Sequence, residues 1–334
     1  MRLSRILGPL MERLAQSRTT FKRDRDLLNL FMDNVYKIPD EITSHTTITT
    51  LSNSRMFVLN RLPSRHKRAI IYLHGGAMCL SLWKFYLPFV YRLAKETDST
   101  VFMPDYRLAP ECPFPCGLED CLEAFDSLVG TDGYDESVVV GDSAGGNLAV
   151  NLARQRSDNI RGLCLLSPWL DLTHTSVFFQ RNNLDEVVHR GSADRAAWLY
   201  VMGDRDWTFG STNPLLRREF DELIRDPRVS PVFSNLGELS GKRILIQAST
   251  SERLVGDSVN LFKRLGANLR DEDLLGDPKS VLRYIMGEQS LTLWPNEPHV
   301  WQITRPKSNS AQEAISEVVT FCRKCFDSPY VSSE

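Results

Sequence analysis

Apolar residues near the start of the chain recur at helical spacing. Residues 2–16 carry one apolar stripe beside arginines, and a second stretch with the same spacing covers about 25–36. This pattern predicts an N-terminal helical cap segment over residues 1–44. Three interpretations of that segment stay open: a helix docked on the core, a lid over a pocket, and an anchor that makes peripheral contact with a membrane surface.

The apolar pattern changes from residue 45 onward. Short β-branched runs, typical of strands, now alternate with longer stretches of helical spacing. The predicted strands cover 47–51, 56–59, 68–73, 101–103, 137–140, 163–166, 244–247 and 291–294, and the predicted helices cover about 117–129, a stretch from about 144, 257–265 and 311–326. Such alternation predicts an α/β fold in which helices cover both faces of a mostly parallel sheet. We therefore expect one α/β domain over residues 45–334.

Two segments interrupt this alternation. Residues 174–235 are long, polar and helical in pattern, and we expect them to form a cap insertion above the sheet. Residues 268–288 are rich in charge and glycine, which predicts a loop insertion between the last two strand–helix units. Its role is open.

Composition narrows the class of protein. The chain has 334 residues, of which 42% are hydrophobic, and its formal net charge is −2 at pH 7. These values are ordinary for a globular protein with a sizeable core. They argue against a nucleic-acid-binding protein, which normally carries a basic domain or stripe. Since no run of eighteen apolar residues occurs, the sequence predicts no transmembrane segment.

The seven cysteines do not form a recognisable framework. Their number is odd and their spacing irregular, and the N-terminus lacks the apolar core of a signal peptide. Both observations favour a reduced, cytoplasmic protein. Cys322 and Cys325 have CxxC spacing, but no second pair accompanies them, so we expect neither a zinc site nor a redox role.

The strongest chemical signal lies between Gly141 and Gly145. This G-x-S-x-G stretch follows a β-branched run and precedes a helical pattern, which is the strand–turn–helix setting of a nucleophile elbow. The glycines leave room for a strained turn that exposes the hydroxyl of Ser143. The helix that follows directs backbone N–H groups at the same point. Ser143 is therefore the candidate nucleophile.

A second signal comes at the end of the buried strand 68–73. His74 is followed by two glycines, which allow the backbone to approach a ligand and turn its N–H groups towards a negatively charged oxygen. Alone, this sequence would indicate only a turn after a strand. Together with the elbow, it predicts the second half of an oxyanion hole.

The remaining partners of a catalytic triad should follow Ser143 in the order acid, then histidine. His299 lies on a proline-flanked loop after the last predicted strand, whereas the other histidines precede Ser143 or lie within the insertion. Two carboxylates follow the strand at 244–247. Glu252 is on the loop itself, and Asp257 is placed to cap the next helix, so Glu252 is favoured as the acid.

Several motifs in matching order resemble the hormone-sensitive-lipase-like family of α/β-hydrolase esterases. They span residues 70 to 303 and read HGG followed by Ala77, PDYRLAPE, GDSAGGNLA, SPWLDLT, RDPRVSPVF, ERLVGDS and EPHVWQ. The resemblance implies a triad of Ser143, Glu252 and His299, with oxyanion donors at the N–H groups of Gly76, Ala77 and Ala144. Position 77 is Ala where many relatives have Gly, and the acid is Glu where Asp is more usual.

The resemblance implies a serine carboxylesterase that acts on small to medium uncharged esters. Such a mechanism needs no metal or organic cofactor, and its expected partner is a small-molecule ester rather than a nucleic acid. Two alternatives stay open. One is a deacetylase or amidase of the steryl or arylacetamide type. The other is a non-catalytic small-molecule receptor similar to the plant gibberellin receptors, which share this fold but lack the catalytic histidine.

Overall fold

A computed structural model of the chain describes residues 21–60, 68–130, 133–134, 136–182, 187–205, 212–270 and 279–327. The strands are β1 Thr46–Thr50, β2 Arg55–Leu59, β3 Arg68–Leu73, β4 Thr100–Asp105, β5 Glu136–Asp142, β6 Ile160–Leu166, β7 Arg243–Ser249, β8 Leu282–Met286 and β9 Gln289–Trp294.

The described α-helices fall between and after these strands. They are α1 Phe21–Val35, α2 Asp40–Ser44, α3 Trp83–Thr97, α4 Cys116–Gly130, α5 Ala144–Gln155, α6 Val177–Arg181, α7 Arg190–Met202, α8 Pro214–Leu223, α9 Val255–Arg264, α10 Trp301–Thr304 and α11 Asn309–Asp327. Short 3₁₀ turns occur at Ser157–Asn159, Pro231–Phe233 and Gly237–Leu239.

The strands form one sheet in the order β1-β2-β4-β3-β5-β6-β7-β9-β8. Strands β4, β3, β5, β6, β7 and β9 run parallel, while β1, β2 and β8 pair antiparallel at the two sides. Parallel strands need covered faces, because their crossover helices return over the sheet. The predicted α/β class with a mostly parallel sheet is therefore confirmed.

Alternating side chains of the central strands build two cores, one on each face. Ile71 and Val139 belong to the larger core, whereas Ile70 and Val138 belong to the core under α3 and α11. Because side chains alternate with a period of two, continuous apolar runs such as that of β3 bury both faces of the sheet. The carboxyl ends of these strands then lie at one edge, where loops can carry functional groups.

The prediction of a loop over residues 268–288 is wrong for its second half. Residues Leu282–Met286 form β8, which pairs antiparallel with β9 and extends the sheet by one strand. Only alternate residues of β8 are exposed, and such a half-buried strand at a sheet edge has a weaker apolar signal than a central one. Helix α3, which contains Pro88, was also not predicted from the apolar pattern.

The described part of the insertion 174–235 contains the helices α6, α7 and α8. Its buried residues, among them Phe179 and Trp198, belong to the same core as the sheet, so the insertion packs directly on the domain. The predicted helix over 2–16 lies outside the described residues, and the stretch at 25–36 corresponds to α1. No described helix is long and apolar enough to cross a membrane.

Candidate active site

Ser143 lies at the turn between β5 and α5, as the G-x-S-x-G stretch predicts. Its backbone is strained, with φ 51° and ψ −121°. The turn requires glycine nearby: a Cβ on Gly145 would lie 1.9 Å from the carbonyl oxygen of Leu73, and one on Gly141 would lie 2.4 Å from that of Gly145. The close approach of α5 to the sheet therefore depends on these glycines.

The structure brings together the three side chains that the sequence had grouped. Nε2 of His299 lies 2.9 Å from Oγ of Ser143, and Nδ1 of His299 lies 2.6 Å from Oε2 of Glu252. Both His299 and Glu252 are buried. With its proton on Nδ1, His299 donates to the carboxylate and presents the lone pair of Nε2 to the serine hydroxyl.

Glu252 is held in place by the loop that follows β7. Its Oε1 accepts a hydrogen bond from the backbone N–H of Ser249 at 2.9 Å, which leaves Oε2 for His299. The side chain of Asn182, from the insertion, donates to the carbonyl oxygens of Thr250 and Glu252. The insertion therefore braces the loop that carries this carboxylate.

Asp257 does not cap a helix, and that expectation is wrong. The residue lies in the first turn of α9, whose N-cap is Leu254 and has no side-chain cap hydrogen bond. Its carboxylate instead accepts from the backbone N–H groups of Leu170 and Asp171, at 2.6 and 2.9 Å. Burial raises the pKa of Asp257 well above its usual range. Asp257 thus anchors the segment that follows β6 and does not contact His299.

The His-Gly-Gly segment forms a tight turn beside Ser143. Gly76 has φ 121°, and a Cβ there would lie 2.1 Å from the carbonyl oxygen of Leu80, so only glycine fits. Ala77 follows with φ 55°, a left-handed conformation that a side chain tolerates at some cost. Within the described parts of the chain, no protein acceptor takes the backbone N–H of Gly76, Ala77 or Ala144. These donors can therefore serve a ligand.

Asp142 is a residue that sequence reasoning missed. Its buried carboxylate accepts hydrogen bonds from the Tyr72 hydroxyl at 2.5 Å, the backbone N–H of Gly75 at 2.9 Å and the Tyr86 hydroxyl at 3.3 Å. Burial raises the pKa of Asp142 to about 6, although these hydrogen bonds oppose the shift. Its position inside the G-D-S-A-G stretch is the sequence signal that could have identified Asp142. The carboxylate connects the turn after β3 to the turn that carries Ser143.

His74 is also buried, but it lies outside the group of Ser143 and His299. Its ring stacks on Tyr106 with centroids 4.3 Å apart, and its Nδ1 lies 2.7 Å from the carbonyl oxygen of Gly75. Burial lowers the pKa of His74, so the ring is neutral near pH 7. Through these two contacts, His74 stabilises the turn at Gly75 and Gly76.

A cavity of about 110 Å³ opens at Ser143. Apart from the polar groups of Asp142, Ser143 and His299, its walls are largely apolar. They come from the turn after β3, from α3, from the insertion and from the loop around α10. Leu82 and Phe85 of this wall also contact Leu28 of α1. Such a cavity suits an uncharged, largely apolar ligand.

The charged residues of the PDYRLAPE motif and the two C-terminal cysteines make contacts that stabilise the fold and lie outside the group of Ser143, His299 and Glu252. The Arg107 guanidinium binds Asp120, Asp105 accepts from Arg55 and Ser81, and Glu111 pairs with Arg25. The last two cysteines, Cys322 and Cys325, are buried on α11, and burial raises the pKa of both thiols. No cluster of three or more potential metal ligands occurs among the described residues.

Comparison with known families agrees with this geometry. A family model described as alpha/beta hydrolase fold matches residues 70–278, more than half of the chain, so the chain belongs to the α/β-hydrolase fold family. Within that fold family, the chain is similar to relatives and solved structures of the hormone-sensitive lipase family.

Two curated relatives illustrate the similarity. An esterase of Acinetobacter venetianus is 30% identical over 194 residues, which cover 57% of this chain and 58% of that protein. The hormone-sensitive lipase of Mus musculus is 35% identical over 210 residues, covering 54% of this chain and 26% of that protein. The chain thus spans less than two thirds of the length of either relative.

A solved structure matches over nearly the whole chain. It is a crystal structure of an esterase from the bacterial hormone-sensitive lipase family, with 25% identity and a TM-score of 0.70, and the match covers 97% of this chain and 98% of the other. The similarity extends beyond the motifs that carry the candidate site.

Proposed function

We propose that this protein is a serine carboxylesterase that hydrolyses small to medium uncharged esters. The observation that carries the proposal is the continuous hydrogen-bonded line from Ser143 through His299 to Glu252, with distances of 2.9 and 2.6 Å. This line of hydrogen bonds ends at an apolar cavity. The backbone N–H groups of Gly76, Ala77 and Ala144 lie beside it and have no acceptor among the described residues. Relatives named as esterases and lipases support the same reaction class.

In the proposed mechanism, Oγ of Ser143 attacks the carbonyl carbon of the ester while Nε2 of His299 takes the hydroxyl proton. The carboxylate of Glu252 faces the Nδ1–H group and stabilises the imidazolium that forms. The negative charge that develops on the carbonyl oxygen meets the N–H groups of Gly76, Ala77 and Ala144. His299 then protonates the leaving alcohol, and water releases the acid from the acyl-enzyme by the same proton path.

The division of the chain expected from the sequence is part of this proposal. We propose residues 45–334 as the catalytic domain, with a cap insertion at 174–235, and residues 1–44 as an N-terminal cap segment. The contact of Leu28 with Leu82 and Phe85 supports a place for α1 behind the cavity wall. The cytoplasmic location and any contact of residues 1–44 with a membrane surface stay predictions.

The nucleophile provides the direct test. Ser143→Ala should reduce kcat by ~10⁴–10⁶, because triad residues act as a unit. A fluorophosphonate probe should label the parent protein at Ser143 and fail to label the variant. A panel of p-nitrophenyl esters of increasing acyl length, run beside a p-nitroacetanilide, separates esterase from amidase activity.

The exposed Ser240 offers a matched control, since Ser240→Ala removes a hydroxyl far from the cavity and should retain both labelling and turnover. Turnover that survives in Ser143→Ala, or a probe attached to another residue, would contradict the proposal. A parent protein that binds esters without turnover would favour the receptor interpretation.

A further inference from the structure

Besides His74, another buried imidazole lies outside the proposed catalytic group, and it contacts a residue of the cavity wall. His174, in the first part of the insertion, receives a hydrogen bond at Nε2 from the indole Nε1–H of Trp169, at 3.1 Å. Its Nδ1 lies 2.7 Å from Oδ1 of Asp194 on α7. Both Trp169 and His174 are less than 5% exposed. The three side chains form a chain of hydrogen bonds from the cavity wall to the cap.

The chemistry of the partners fixes the state of His174. An indole nitrogen can only donate, so Nε2 must be the acceptor and the proton must be on Nδ1, where it is donated to Asp194. The ring planes of Trp169 and His174 lie within 6° of each other, and this arrangement is compatible with the hydrogen bond between them. Each end of the imidazole thus fixes one neighbour.

The backbone and a stacking contact hold the imidazole rigidly. His174 has φ 54°, a left-handed conformation in which histidine is enriched among residues other than glycine. Its ring stacks on Phe179 with centroids 4.3 Å apart and an interplanar angle of 11°. The side chain of Gln180 donates to the His174 carbonyl oxygen at 3.0 Å. The ring therefore has little freedom to turn away from Trp169.

Both ends of this chain reach the cavity. Trp169 lines it directly, and the backbone N–H of Trp169 donates to the carbonyl oxygen of Ser143 at 2.9 Å. At the other end, α7 carries Asp194 and also contributes Ser192 and Ala193 to the cavity wall. The orientation of the indole and the position of the cap helix are thus coupled through one imidazole.

We propose that His174 is a positioning residue that sets the acyl-chain preference of the proposed esterase by fixing the Trp169 indole as a rigid wall. The proposal rests on the proposed function. When the indole loses its acceptor, its N–H group is left unsatisfied in a buried position, and the ring gains freedom to swing aside. The cavity should then admit longer acyl chains and hold short ones less firmly.

Two amide substitutions separate the two hydrogen bonds. In His174→Gln the amide oxygen reaches the place of Nε2 and can accept from Trp169. In His174→Asn the shorter amide reaches the place of Nδ1, where it can donate to Asp194, but it does not reach the indole. Both variants lose the aromatic stack on Phe179, but only His174→Asn loses the indole bond, so a larger effect in His174→Asn than in His174→Gln reports on that bond. His45→Asn, on an exposed histidine, is the control for a remote substitution.

The first measurement is kcat/KM for p-nitrophenyl acetate and octanoate. For His174→Asn we expect the octanoate-to-acetate ratio to rise about tenfold, mostly through KM, because an unsatisfied buried donor has an energetic cost of that order. His174→Gln keeps the indole bond but loses the bond to Asp194, so its ratio should rise by no more than about threefold, and His45→Asn should not change the ratio. An equal loss of kcat for both substrates in both amide variants would overturn the proposal, since it would indicate general destabilisation.

The second measurement does not depend on turnover. The indole ¹⁵N–¹H resonance of Trp169, assigned with Trp169→Phe, should move in His174→Asn and stay near its parent position in His174→Gln. A resonance that is unchanged in His174→Asn would show that the hydrogen bond is absent and would overturn the proposal. A resonance that moves while the ester ratio stays constant would overturn the role in specificity.

Asp194 offers a variant at a less buried position, in case the His174 variants fail to fold. Asp194→Ala should raise the octanoate-to-acetate ratio in the same direction, by about threefold, because His174 then loses the partner of Nδ1. If both residues act through one chain of contacts, the effects of Asp194→Ala and His174→Asn should not add. An unchanged ratio in Asp194→Ala, or strict additivity, would contradict the coupling. Absence of Ser143 labelling in the parent would instead count against the proposed function.

Discussion

Two buried histidines near the cavity each pair with a carboxylate, and the two pairs resemble each other closely. Nδ1 of His299 is 2.6 Å from Glu252, and Nδ1 of His174 is 2.7 Å from Asp194. Both imidazoles are buried, each about 4% exposed. Neither burial nor a carboxylate partner therefore distinguishes the proposed general base from its neighbour.

The difference lies at the other ring nitrogen. Nε2 of His299 faces the hydroxyl of Ser143, which can give up its proton when it attacks a carbonyl. Nε2 of His174 faces an indole N–H, which is not acidic near neutral pH and has no nucleophilic atom to release. The group at Nε2 therefore decides whether a buried imidazole can accept a proton during catalysis or can only hold a neighbouring side chain in place.

Equivalent substitutions of the two histidines should give the largest contrast. His299→Gln removes the proposed proton acceptor, and kcat should fall by ~10⁴–10⁶. His174→Gln keeps an acceptor for Trp169, and kcat for acetate should change by less than about tenfold. Steady-state kinetics on p-nitrophenyl acetate measures both. Comparable losses in the two variants would break the distinction drawn here.

Substitutions of the two carboxylates Glu252 and Asp257 should also differ in their effect on kcat. Neutralising the acid of a well-studied triad costs about 10⁴ in kcat, so Glu252→Gln should cause a loss of that size with little change in stability. Asp257→Asn should change kcat only slightly, because its carboxylate contacts the backbone of Leu170 and Asp171 rather than His299. Glu252→Asp should retain partial activity. An inactive Asp257→Asn beside an active Glu252→Gln would place the acid five residues later.

Asp142 differs from Glu252 and Asp194 because its buried carboxylate accepts hydrogen bonds from tyrosine hydroxyls and a backbone N–H group instead of an imidazole. Its pKa of about 6 in the folded protein exceeds the usual value of 3.8, so the folded state binds more protons between about pH 4 and pH 6. Stability contributed by this group is present at low pH and is lost as the pH rises through about 6. In Asp142→Asn that contribution cannot titrate.

The free energy of unfolding of the parent should therefore fall by about 2 kcal/mol relative to Asp142→Asn between pH 4 and pH 7. Urea unfolding of both proteins at a series of pH values measures this difference. A difference that is constant with pH, or that grows in favour of the parent as the pH rises, would contradict the burial of this carboxyl group.

Much of the candidate site follows from chain order and strand ends. Ser143 could be predicted because its glycines, the strand before it and the helix after it all occur within residues 136–155. His299 and Glu252 follow from the rule that loops at the carboxyl ends of parallel strands meet at one edge. These signals are local or topological, and both kinds can be detected in a single sequence.

The remaining features depend on contacts between distant segments. Asp257 has the sequence pattern of a helix cap, but its partners Leu170 and Asp171 lie in the segment after β6, the strand that pairs with β7. In the sequence, His174 is a poor candidate for the general base because it lies in the insertion. Its link to Trp169 and Asp194 requires a left-handed backbone that no apolar pattern encodes. Such hydrogen bonds arise from tertiary packing, which a periodicity cannot reveal.

The extra strand β8 has a consequence for the loop that carries His299. Strand β9 leads into that loop, and it pairs with β7 on one side and β8 on the other. Outer strands of a sheet exchange their amide hydrogens with solvent sooner than inner strands, because they open locally at a lower free energy. Thermal opening of this side of the sheet therefore begins at β8, and the root of the loop at His299 stays closed while it does.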